Sequence, residues 1–219
     1  MNKINILPRY MWLPVILSLS CNMVAYFGTR FFTSGMHHYV LSSTLDDMIP
    51  VVSWTIIIYW GCYIFWGINY IIGCRQEKDV AYNFISADFF AKVICLIIFM
   101  LFPTTNIRPA IEGGSFWNDA MIALYGVDAA DNLFPSIHCL TSWFCFIAVR
   151  KNKSISDIYK VVSFILAVAV FISTLTTKQH VIIDVIGGVA LAEFSYWFTR
   201  VSGFTKLYRK VMERGKYVQ

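Results

Sequence analysis

The 219-residue chain is 58% hydrophobic and 14% charged, with a formal net charge of +5. Soluble domains are nearer half apolar and a quarter charged, so this balance excludes an ordinary soluble globule and points to a polytopic membrane protein of one compact bundle. The six cysteines form no CxxC pair, which excludes the common zinc and redox motifs and leaves them as small apolar packing residues.

The first apolar run, 10–28, follows Lys3 and Arg9 like the basic start of a signal peptide. No small-residue cleavage site comes after it, so it reads as a retained span. The 29–50 loop carries His37, His38, Asp46 and Asp47. The two histidines read as ordinary loop residues, because nothing else in the loop completes a ligand set. The two aspartates precede Pro50 and read as helix caps. Further spans are expected over 51–73 and 86–103, each near the roughly 20 residues needed to cross a bilayer.

The connection 104–135 is too long to be a simple link. Its Phe116, Trp117, Ala120, Met121, Leu124 and Tyr125 recur at helical spacing, which predicts a short interfacial helix with aromatics at headgroup depth. Spans follow over 136–150, 160–177 and 180–200. The expected fold is therefore all-α, a six-transmembrane-helix bundle forming a single domain over 1–219. Its core covers about 45–200, and a basic tail, 201–219, anchors on anionic lipid.

Lys and Arg fix the orientation. Fourteen of them fall on the side holding both termini and the 74–85 and 150–160 loops, against Arg30, Arg108 and Lys178 on the other. By the positive-inside rule both termini are cytoplasmic. His138, His180 and Asp184 then share the external interface of a cell membrane.

His180 and Asp184 are four residues apart, one helical turn, so their side chains share a face. An ionisable residue in an apolar span is costly and carries a functional hypothesis by default. A neutral imidazole can attack phosphorus if a partner on its other nitrogen fixes the tautomer, and Asp184 is spaced for that. The alternative is a structural pair tying helices together. His138, in Pro135-Ser136-Ile137-His138, titrates near neutrality and can protonate a leaving oxygen. Pro135 suits a first helical turn, whose positive end would attract phosphate beside the Ser136 hydroxyl. Arg108 and Lys178 are the cations near the external ends of the last four spans. They are either interfacial anchors or phosphate donors.

Pro135-Ser136-Ile137-His138 resembles the second motif of the type 2 phosphatidic acid phosphatase superfamily, written P-S-G-H in many members. Ser173-Thr174 with His180 and Asp184 resembles its third motif, S-R-x5-H-x3-D, and Arg108-Pro109 resembles the end of its first, K-x6-R-P. The resemblance runs from about Leu45 to Ala192. It implies a six-helix membrane core and metal-independent phosphoester hydrolysis or transfer. His180 would be the nucleophile, Asp184 its orienting partner and His138 the general acid, with Arg108 and Ser136 on the phosphate. Two cations of the pattern are replaced, by Leu101 and Thr174, and Lys178 is the candidate substitute. The Thr-Lys-Gln-His form resembles the branch of inositol phosphorylceramide and sphingomyelin synthases, and bacterial phosphatase-like members share it, so a bacterial source is expected. The expected partners are a lipid phosphate and membrane lipids, with no metal, cofactor or nucleic acid. Three functions stay open: lipid phosphate hydrolase, lipid phosphotransferase, and non-catalytic transporter or scaffold.

Overall fold

The computed structural model describes residues 5–214. Lys3 and the end of the basic tail, with Lys216, lie outside the described residues. Nine helices are present among them, which we number in chain order. They are α1 (Arg9–Thr33), α2 (Thr44–Met48), α3 (Ser53–Cys74), α4 (Lys78–Leu101), α5 (Phe116–Val127), α6 (Ile137–Arg150), α7 (Asp157–Thr176), α8 (Ile182–Val201) and α9 (Phe204–Arg214). The chain is an all-α polytopic membrane protein. Its one pair of described strands, Tyr39–Val40 (β1) and Thr104–Thr105 (β2), is parallel and two residues long.

Five helices (α1, α3, α4, α7 and α8) are long and apolar enough to cross a membrane. The expected span at 136–150 forms α6, whose 14 residues rise only about 21 Å, short of a ~30 Å hydrocarbon core. It does not meet lipid as the others do, because α3, α4, α7 and α8 all pack around it. The expected interfacial helix is present as α5. The third span starts at Lys78, well before the expected residue 86, because the polar first turns of α4 continue the helix beyond the apolar run.

Local chemistry explains the helix starts. Ser115, Ser136 and Ser156 each accept a backbone N–H three residues on, capping α5, α6 and α7. Gly203, at φ +77°, turns the chain from α8 into the amphipathic α9. Within the bundle the Lys92 ammonium lies 2.8 Å from Asp88, to which Ser18 of α1 and Tyr70 of α3 also donate. A fully hydrogen-bonded pair of this kind ties three helices together where unpaired charge would be costly.

α1 is not uniform. Val24–Gly28 takes a π-helical turn, a distortion that often marks functional positions. Tyr26 and Phe27 in that turn face the cavity described next.

Candidate active site

α8 approaches the start of α6 closely. The Ser136 backbone N–H donates to the Asp184 carbonyl at 3.0 Å. Gly188 makes this possible, since a Cβ there would stand 2.5 Å from the Ser136 carbonyl oxygen. Across this contact the His138 and His180 rings come to 5.9 Å between centroids.

His180 precedes α8 in a firmly held turn. The backbone N–H groups of Gln179 and His180 both donate to the Thr174 carbonyl. Asn106 grips the Lys178 carbonyl, and Tyr125 of α5 donates its hydroxyl to the Thr177 carbonyl. The His180 Nδ1 is 3.3 Å from Asp184 Oδ2, which also accepts the Val181 N–H at 3.0 Å. Asp184 is fully buried, and its Oδ1 has no partner among the described residues.

His138 is walled by aromatics. Tyr59 stacks on it at 4.6 Å, with Trp66 at 5.4 Å and Tyr63 at 6.4 Å. Its Nε2 is buried with no hydrogen-bond partner among the described residues. The two histidines and Asp128 line a cavity of about 380 Å³ that runs between α1 and α3 past Phe27, Trp60 and Tyr63.

Arg108 stands behind Asp128. Its guanidinium donates to the Asp128 carbonyl and, at 2.6 Å, to Gln179 Oε1, while stacking over Tyr125 at 4.9 Å. The Arg108 Nε and the Gln179 Nε2 are both buried with no acceptor among the described residues. Burial lowers the Arg108 pKa from its ordinary value, opposed by Tyr125 and Tyr59, but an arginine keeps its charge regardless.

Ser136 is fully buried, and its hydroxyl accepts the Cys139 N–H as the cap of α6. Lys178 is not brought to the histidines. Its backbone is left-handed, at φ +53°, and its ammonium donates to the Asp46 and Ile49 carbonyls at 2.8 and 2.6 Å. This replaces the expectation that Lys178 stands in for the missing arginine: the ammonium is already committed to backbone. His37 and His38 lie apart from the site, with His38 Nε2 at 3.0 Å from the Thr33 carbonyl. Asp46 does cap a helix, but it is α2, through a capping box with Ser43, and not the span α3 that follows; Asp47 makes no such cap among the described residues. The Asp46 carboxylate accepts from Ser43 and also from the Ile182 N–H, at the start of α8. Burial would raise its pKa, but these donors outweigh burial and lower it.

The two replaced motif positions do not address the cavity. Leu101 is 75% exposed at the end of α4, and Thr174 is fully buried beside Cys139 Sγ. Three residues without a role in the sequence reading belong to the site. Asp128 accepts the Tyr59 hydroxyl at 2.9 Å, and burial pushes its pKa up to about 6, with Asp131 adding to the rise and His180 opposing it. Arg30, at the end of α1, lies 3.6 Å from Asp128 and 2.7 Å from Asp131, over the Tyr26 ring. Gln179 is the third. The only signals were that Arg30 is one of three cations on its side and that Gln179 adjoins His180.

Among the described residues no group of three His, Cys, Asp or Glu side chains is arranged to hold a metal ion. A family model described as the PAP2 superfamily matches residues 33–198. No curated protein and no solved structure gave a match.

Proposed function

From its match over most of its length, the chain belongs to the PAP2 superfamily, and we propose on that premise that it removes phosphate from a lipid phosphate or diphosphate through a phosphohistidine. The observation that carries the reading is the 5.9 Å approach of His138 to a His180 whose Nδ1 is held by Asp184.

With its Nδ1–H donated to Asp184, His180 turns the Nε2 lone pair to phosphorus. The Nε2–P bond forms as the P–O bond to the lipid alcohol breaks. His138 gives its proton to the departing oxygen. It then takes a proton from water, whose oxygen attacks phosphorus and releases His180. Charge on the three phosphoryl oxygens needs donors already in place. The buried, acceptor-free N–H groups of Arg108 and Gln179 are suited to that task, as is the capping Ser136 hydroxyl. The opening past Phe27, Trp60 and Tyr63 supports a lipid tail as the rest of the substrate.

A second reading has a lipid alcohol attack the phosphohistidine in place of water. The aromatic wall of Tyr59, Tyr63 and Trp66 around His138 favours it, because an apolar wall restricts water. In both readings the histidines face the external leaflet and the basic ends of the helices face the cytoplasm. Phosphate release from lipid phosphates, diphosphates and phosphodiesters, with chelator, tests the proposal. Release that falls on adding a lipid alcohol, with a new phospholipid formed, identifies the transferase. No turnover on any of these lipids overturns both.

A further inference from the structure

A second cavity, of about 470 Å³, lies at the bundle end opposite the histidines. α6 runs from His138 down to Ala148 at the cavity, and α8 runs from beside His180 to Arg200 there. At about 1.5 Å per residue the two sites are some 15–30 Å apart.

Four cations line it: Lys151, Arg200, Lys206 and Arg209. Arg209 is committed, since it pairs with Asp79 and with Glu213. The other three have no carboxylate within ion-pair distance and no side-chain hydrogen bond among the described residues. They come from three different segments, the turn after α6, the end of α8 and the start of α9. Convergence of this kind is unusual for like charges, which repel unless an anion sits between them. One carboxylate, Asp79, also lines the cavity and is the partner of Arg209; the rest of the lining is uncharged, with residues such as Phe84, Ala148 and Tyr196. On the two helices that supply Arg200 and Lys206, α8 also exposes Trp197 and Val201, and α9 exposes Leu207 and Val211. The surroundings therefore suit an amphiphile rather than a small soluble anion.

We propose that this cavity binds the headgroup of an anionic phospholipid. Its phosphate sits among Lys151, Arg200 and Lys206, and its acyl chains run along the apolar faces of α8 and α9. A general attraction of the basic tail to a charged surface would need no such convergence.

The test is thermal unfolding of the full chain in a nonionic detergent with added phosphatidylglycerol or phosphatidylcholine. Phosphatidylglycerol at saturation is expected to raise Tm by about 5 °C, and phosphatidylcholine to leave it unchanged. Combined Lys151→Gln, Arg200→Gln and Lys206→Gln should abolish the rise. Combined Lys153→Gln, Lys210→Gln and Arg214→Gln removes as much charge outside the cavity and should preserve it. If the triple cavity variant does not fold, Lys206→Glu alone should abolish the rise, since the Lys206 side chain makes no hydrogen bond or ion pair among the described residues. Three results would overturn the proposal: a rise that survives the cavity substitutions, one that the outside set removes equally, or one that glycerol 3-phosphate or inorganic phosphate reproduces. The last would assign the cavity to a soluble phosphate.

Discussion

The backbone N–H of Ser136 donates to the carbonyl of Asp184 at 3.0 Å, joining the first turn of α6 to the first turn of α8. One side of that bond carries His138 and the other carries the His180–Asp184 pair. The two halves of the proposed chemistry are therefore set relative to each other by backbone, with Gly188 at the point of contact.

Gly188→Ala should separate them. The new methyl would meet the Ser136 carbonyl at 2.5 Å, and backbone cannot yield as a side chain can. Turnover is expected to fall on the order of 100-fold, the usual consequence of ångström-scale misplacement of reacting groups. Gly67→Ala, in α3, meets nothing within 4 Å. It should leave activity intact and gain up to about 1 kcal/mol of helix propensity. Steady-state rates and Tm of both variants check the contrast.

Arg108→Lys keeps the charge but loses the two-point grip on the Asp128 carbonyl and Gln179. We expect kcat/KM to fall roughly tenfold or more, about 1.4 kcal/mol of transition-state stabilisation. Gln179→Ala should cost a similar amount, and the double variant less than the sum, since the two act as one unit. Additive losses would separate their roles.

Lys178→Ala should act on stability. Its ammonium holds the Asp46 and Ile49 carbonyls, and losing those bonds is worth about 1–3 kcal/mol. The folded fraction should keep kcat/KM within a few-fold of the parent. A tenfold loss of kcat/KM with Tm unchanged would return Lys178 to the phosphate.

Asp128 makes the site sensitive to pH. Its carboxyl faces Tyr59, Arg30, Asp131 and His180, and burial pushes its pKa up to about 6. Below that pH it is neutral; above it a negative charge sits in the cavity that must accept a phosphate. kcat/KM should therefore decline as pH rises through about 6, and Asp128→Asn should remove that limb. Stability follows the same sign. The folded state holds the proton more tightly than the unfolded chain, so stability falls as pH rises from the ordinary carboxylate range to about 6, then levels. A pH–rate profile unchanged in Asp128→Asn would rule the residue out.

What was legible in the sequence is what depends on local spacing. The i, i+4 relation of His180 to Asp184, the Ser136 cap after Pro135 and the amphipathic pattern of Phe116–Val127 each act within a few residues. The bounds of α6 were legible, 136–150 against Ile137–Arg150, but its standing as a full span was not. A helix wrapped by four others need not be long enough to span lipid alone, and the wrapping is a tertiary fact. Lys178 misled because nearness in sequence to His180 says nothing of direction, and its left-handed backbone carries the ammonium to the α2 segment. Asp128 and Arg30 come from elements about a hundred residues apart, a meeting that no local pattern announces. Leu101 and Thr174 looked like lost cations; one is exposed and the other is packed against Cys139, so neither side chain lines the cavity in this fold.

Trapping the covalent intermediate shows whether His180 is the residue that takes the phosphoryl group. The purified protein is mixed with lipid phosphate labelled with ³²P on its phosphate, quenched in alkali within the first turnovers, digested and mapped. Label is expected on His180, stable to alkali and lost in acid, and absent in His180→Ala. His138→Ala should slow both formation and release of the label. Label on another residue, or turnover by His180→Ala at the parent rate, would contradict that role for His180.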